Sequence, residues 1–148
     1  MFHEFSVQMS PELSVVTHLS KMVDSFGDAN GLSAPQVYQL NLALDELINN
    51  VVSYGLRHSD KTEHRIYVDL QLQDTTLILR FEDDGMPFDP MQDTHPDTES
   101  HLDDRAVGGL GLFLVKSFAE RMSYRFAEGR NQLVIEHDFD ARADDAFA

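Results

Sequence analysis

Glu46 and Asn50, four residues apart in the stretch LALDELINNVVSYG, are the first side chains of this sequence whose type and spacing suit chemistry. A carboxylate accepts protons and hydrogen bonds, and a side-chain amide offers both donors and an acceptor. Asparagine is a weak helix former, because its side chain competes for backbone hydrogen bonds, so two consecutive ones in an amphipathic stretch call for a reason. A four-residue step puts Glu46 and Asn50 about one turn apart on the same side of a helix. Projected down that helix, Val37, Leu40, Leu44, Leu47, Ile48 and Val51 form an apolar stripe. Glu46 and Asn50 edge the stripe on a flank shared with the small residues Ala43 and Ser53, while Asp45 and Asn49 are expected to turn to solvent. Such a flank can wall a pocket; polar residues at a helix edge can equally serve solvation alone.

Two further stretches fit the same purpose. In FEDDGMPFDP a strand-like run ends in acids and a glycine. The Asp83-Asp84-Gly85 step can aim one carboxylate from a strand end into a cleft, with Gly85 permitting close approach of a ligand. An acidic turn is the plainer alternative. Gly108, Gly109, Leu110 and Gly111 lie just ahead of a helix-like segment. Glycines there expose backbone N–H groups near the positive end of the helix dipole, which suits a phosphate; a flexible hinge has the same composition. No GxxxxGK[ST] run is present, so a P-loop is excluded.

The elements that must hold these residues are legible in outline. FHEFSVQ reads as a first strand, and Leu13, Val16, Leu19, Val23 and Phe26 recur at helical spacing from Pro11 to Phe26, with GDANG as the stop. Ser33 and Pro35 open a second helix running to about Tyr54 and ending at Gly55. RIYVDLQLQ and TTLILRFED alternate apolar and polar residues and predict a hairpin. Residues of about 90–107 are polar, acidic and Pro-containing, as expected of a lid over a ligand. A helix then starts behind the glycines in GGLGLFLVKSFAERM, and MSYRFAE with NQLVIEHDF predicts a closing hairpin around Gly129. The order βααββ-loop-αββ, with no internal repeat, predicts one α+β domain over residues 1–148, its sheet mixed or antiparallel with helices packed on one face.

Composition narrows the function classes. Eleven basic against 26 acidic residues give a formal net charge of −15, which argues against direct binding to nucleic acid or an anionic membrane. Part of this charge lies in an expected acidic tail of about 139–148. There is no cysteine for a disulfide or thiolate site, no stretch resembling a signal peptide, and no apolar run of transmembrane length, so a soluble cytoplasmic protein is expected. His3, His18, His58, His64, His95, His101 and His137 show no paired metal spacing and are read as surface residues.

Taken together, Glu-x-x-x-Asn on a helix, Asp-x-Gly after a strand, a lid, and GGLGL opening a helix resemble the Bergerat ATP-binding fold of the GHKL superfamily. The resemblance spans residues 36 to 125. DELINNVVSYG, DDGMPFDP and GGLGLFLVKSFAERMSY look most like the anti-sigma-factor serine/threonine kinases of the RsbW and SpoIIAB type. The phospho-acceptor histidine and dimerisation helices of a histidine kinase are absent from the layout.

The resemblance implies ATP or ADP and Mg²⁺ as ligands. It makes Glu46 the general base and Asn50 the Mg²⁺ ligand. It makes Asp83 the acceptor of the adenine amino group, with room for the base at Gly85. Gly108, Gly109, Leu110 and Gly111 become the phosphate cradle, and Arg105 a group that reaches the γ-phosphate. Pro87 replaces the second glycine of the wider superfamily's Asp-x-Gly-x-Gly form, a variation that also occurs in the anti-sigma type. The implied partners are a STAS-domain anti-anti-sigma protein and a sigma factor, with homodimerisation open. A nucleotide-binding regulatory module that binds partners without phosphoryl transfer is the alternative.

Overall fold

The computed structural model describes residues 2–10, 14–55, 63–91 and 113–139. Its elements follow in the expected order. Strand β1 (Phe2–Met9) leads to helices α1 (Val15–Asn30) and α2 (Ala34–Asn50), then to β2 (Ile66–Gln73) and β3 (Thr76–Asp83). Residues 113–118 are helical, and β4 (Arg121–Ala127) and β5 (Arg130–Asp138) close the chain. The five strands form one sheet in the order β1-β2-β3-β5-β4, with every pairing antiparallel. The architecture is α+β as expected, and the sheet is antiparallel rather than mixed.

Alternation along each strand sets the layers. Ile66, Val68, Leu70 and Leu72 of β2, Leu77, Leu79 and Phe81 of β3, and Leu133 and Ile135 of β5 are buried on one face. Against them pack Leu19, Val23 and Phe26 of α1 and Leu40, Leu44, Leu47 and Ile48 of α2, in a single core cluster. The opposite face carries Tyr67, Asp69, Arg80, Glu82, Arg125 and Glu136, as in an antiparallel sheet with one solvated side.

Three boundaries differ from the sequence reading. Helix α1 stops within GDANG as expected, but at its last residue and not after Phe26. It continues through Gly27 to Asn30 and ends on Gly31, which takes the left-handed conformation at φ 72° and donates its N–H to Gly27 O. Gly27 is required inside the helix because α2 lies against it: a Cβ there would stand 2.4 Å from Val37 Cγ2. Helix α2 begins as expected. Ser33 accepts from the Gln36 N–H while the Gln36 side chain accepts from the Ser33 N–H, closing a reciprocal capping box. Its last turn, Val51–Gly55, is π-helical rather than α-helical. The third helix ends at residue 118, and Arg121 and Met122 already pair with Glu136 and Ile135 in the sheet.

Two smaller expectations also change. His137 is buried at 3 % exposure, stacked on Phe118 at 4.2 Å, with Nδ1 hydrogen-bonded to Phe118 O, so it is a core residue and not a surface one. His64 is partly buried beside Asp84. Phe139, assigned to the acidic tail, packs in the core and donates its N–H to Thr75 O. The rest of that tail and most of the lid lie outside the described residues.

Candidate functional site

Central strand β3 ends in Asp83, and the C-terminal end of α2 carries Asn50. A cavity lies between them. Leu47, Val51, Phe81 and Leu133 give it an apolar wall; Asn50, Asp83, Tyr124 and Asn131 supply its polar groups. Met86, Phe88 and Pro90, from the chain just after Asp-x-Gly, complete the lining. An apolar cleft with a few convergent polar groups is the usual form of a small-molecule site.

Asp83 is 8 % exposed, and both of its local contacts act on one oxygen. Gly85 N–H donates to Oδ1 at 2.9 Å, and Asn131 Nδ2 donates to the same atom at 3.0 Å. Among the described residues, Oδ2 receives no hydrogen bond. Burial raises the Asp83 pKa above its ordinary value, opposed by the two hydrogen bonds. Asp84, its neighbour, faces elsewhere: its Oδ1 accepts from Arg65 N–H at 3.1 Å and lies 2.9 Å from His64 Nδ1. Of the two acids in the Asp-Asp-Gly step, the first therefore faces the cleft, the one that the resemblance singles out.

On α2, Asn50 lines the cavity, and Glu46, one turn earlier and half-buried, does not. Asp45, expected at the surface, is half-buried too; burial, reinforced by the neighbouring Glu46 carboxylate, raises its pKa. The π-helical turn begins directly after Asn50, and Val51, its first residue, is 6 % exposed against the cleft. Such insertions of π geometry recur at functional sites. Gly85 is buried and fixes Asp83 through its N–H. Arg105, Gly108, Gly109, Leu110 and Gly111 lie outside the described residues.

Two further residues of the site, Asn131 and Tyr124, carry no motif in the sequence. Asn131 is buried in β5, paired in register with Asp83. Its Oδ1 accepts from Tyr124 Oη at 2.6 Å and from Phe88 N–H at 2.9 Å, and its Nδ2 also donates to Met86 O at 2.9 Å. Tyr124, with its pKa raised mainly by burial, supports this amide from the edge strand β4. A signal was available: Asn131 occupies the inward phase of the alternation Asn131, Leu133, Ile135, His137.

No group of three or more His, Cys, Asp or Glu side chains suited to holding a metal ion occurs among the described residues. Asn50 lines the cleft, and its amide oxygen is the hard, neutral type that Mg²⁺ accepts when waters and substrate phosphates fill its other positions.

The chain is similar to known proteins along most of its length. The histidine kinase-like ATPase domain family matches residues 9–136. The serine/threonine-protein kinase BtrW of Bordetella bronchiseptica is 34 % identical over 105 residues, covering 70 % of this chain and 71 % of that protein. The serine-protein kinase RsbW of Listeria monocytogenes is 28 % identical over 103 residues, covering 67 % of this chain and 64 % of that protein. A crystal structure of the RsbU and RsbW domains of a Mycobacterium tuberculosis protein shares the fold with a TM-score of 0.64 at 12 % identity, over 92 % of this chain and 32 % of that one. The ordered core, the cleft between α2 and β3 and these similarities agree: the chain belongs to the histidine kinase-like ATPase family, within the GHKL superfamily and on its RsbW-type serine/threonine-protein kinase branch.

Proposed function

We propose that this chain binds MgATP in the cleft between α2 and β3 and phosphorylates a serine or threonine of a STAS-type anti-anti-sigma protein, while in its other state it sequesters a sigma factor. It does so in the cytoplasm, as one arm of a partner-switching circuit. The observation that carries the reading is the convergence of Asn50 and Asp83 on one apolar cavity. Asp83 has an oxygen for the exocyclic amino group of adenine; guanine presents a carbonyl there, which a carboxylate repels. The apolar walls bury the ring.

In this reading Asn50 holds Mg²⁺, which when bound neutralises charge on the phosphates. Gly108, Gly109 and Gly111 offer backbone N–H groups to those phosphates, and Arg105 reaches the γ-phosphate. Glu46 takes the proton from the attacking hydroxyl as the new oxygen–phosphorus bond forms and the bond to ADP breaks. The test is direct. Purified chain, MgATP and the cognate STAS protein should yield phosphoserine or phosphothreonine. Glu46→Gln should lower that rate at least about 100-fold, within the range of general-base effects, with ATP affinity nearly unchanged. Full activity in Glu46→Gln removes Glu46 as the base.

A second reading draws on Glu46 standing outside the cavity lining: the chain binds ATP or ADP and partners without phosphoryl transfer. Nucleotide-dependent partner capture with no phosphoprotein formed would favour it.

A further inference from the structure

We propose that Asn131 is the positioning residue of this cleft. It fixes which oxygen of Asp83 is left for the ligand, and it ties that carboxylate to the chain segment that walls the site. The inference rests on the reading of the cleft as a nucleotide site.

A side-chain amide has two N–H donors and two acceptor lone pairs. Asn131 uses all four: Nδ2 donates to Asp83 Oδ1 and Met86 O, and Oδ1 accepts from Phe88 N–H and Tyr124 Oη. Its orientation is dictated by its neighbours. A backbone carbonyl only accepts and a backbone N–H only donates, so Met86 and Phe88 together force Nδ2 toward Asp83. A flipped amide would set its oxygen against Asp83 Oδ1 and Met86 O and its own N–H groups against the Phe88 N–H. The side of Asn131 that meets Asp83 is thus a donor, and a donor favours the ionised carboxylate.

Two consequences for the site follow. Gly85 and Asn131 both saturate Oδ1, so the oxygen left for a ligand donor is Oδ2. The same amide anchors Met86 and Phe88, so the position of the carboxylate and the start of the loop after Asp-x-Gly are set by one group. In a buried network of this kind the loss of one member leaves several groups unsatisfied.

Nucleotide affinity measured against pH tests this. For wild type, ATP binding weakens as acid protonates Asp83. Asn131→Ala removes one of the two donors that oppose burial, so the acid midpoint should move to higher pH. At neutral pH, ATP affinity should fall about tenfold or more, the scale of a hydrogen bond to a charged group. Discrimination between ATP and GTP should narrow. A role in packing alone would lower affinity without moving the acid midpoint. A second measurement needs no variant. In wild-type protein the Asn131 side-chain N–H resonances should titrate in step with the Asp83 carboxyl carbon. If wild type binds ATP but the midpoint is unmoved in Asn131→Ala, or the two titrations are independent, the inference is overturned while the nucleotide reading stands. If wild type binds no ATP, the nucleotide reading falls and the inference falls with it.

Discussion

At the residue scale the most consequential side chain is Asp83, because its energetics and its proposed task pull apart. Burial raises its pKa, so the folded protein holds the proton more tightly than the unfolded chain. The sign follows: Asp83 favours folding below its unfolded pKa, and that contribution is lost as pH rises through the folded value. At neutral pH its charge is a cost to stability, retained for binding. Asp83→Asn keeps an oxygen for the Gly85 and Asn131 donors and removes the charge. A thermal melt of the free protein should therefore show Asp83→Asn as stable as wild type or more so. Its affinity for ATP should drop roughly 10- to 100-fold, since a charged hydrogen-bond acceptor contributes about 1.5–3 kcal/mol. In wild type, weakening of ATP binding should set in above the ordinary aspartate range as pH falls. A destabilised Asp83→Asn with unchanged affinity would reverse the assignment. Asn50, Asp83 and Gly85 were legible in the sequence because each sits in a short run with local meaning. Asn131 was not, because its meaning arises only when strand pairing brings it to Asp83 from 48 residues away.

At the scale of elements, the informative difference is which glycine of GDANG stops the helix. A glycine beside acids and an asparagine reads as a helix stop, yet Gly27 is a packing residue and the stop is Gly31. Nothing local distinguishes the two glycines; the difference is the side chain of Val37, on the next helix. Gly27→Ala would set a Cβ at 2.4 Å from Val37 Cγ2 and force α1 and α2 apart. Although alanine is the better helix former, we expect Gly27→Ala to lose about 1–3 kcal/mol, as overpacked cores do. Adding Val37→Ala should recover much of that loss, and a double-mutant cycle by chemical denaturation measures the coupling. Additive effects would show that the contact is not what Gly27 serves. The helix after the glycines was overextended for a related reason. FLVKSFAERM carries apolar residues at spacings that suit either period, and it is pairing with β5 that turns Arg121 and Met122 into strand.

At the scale of the whole molecule the net charge of −15 is unevenly distributed. Arg80, Arg121, Arg125 and Arg130 all lie on the solvated face of the sheet. There Arg80 pairs with Asp69, Arg121 with Glu136 and Asp138, and Arg130 with Glu82 while stacking over Tyr67. Helix α2 contains no Lys or Arg, and α1 has one Lys against Asp24 and Asp28. The sheet face is nearly balanced, so the negative surplus belongs to the rest of the chain. If the sequestered partner presents a basic face, as the proposed sigma factor would, association should be steered by that surplus and screened by salt. The association rate should fall about tenfold or more as ionic strength rises from low to several hundred millimolar, with a smaller change in the dissociation rate. Arg121→Glu and Arg125→Glu, which add negative charge to the opposite face, should leave the dissociation rate unchanged and raise the association rate slightly at low salt. Stopped-flow or surface-binding kinetics resolve these rates. An association rate indifferent to salt would mean that the partner docks through uncharged surface, and one that rises with salt would mean that it is itself acidic.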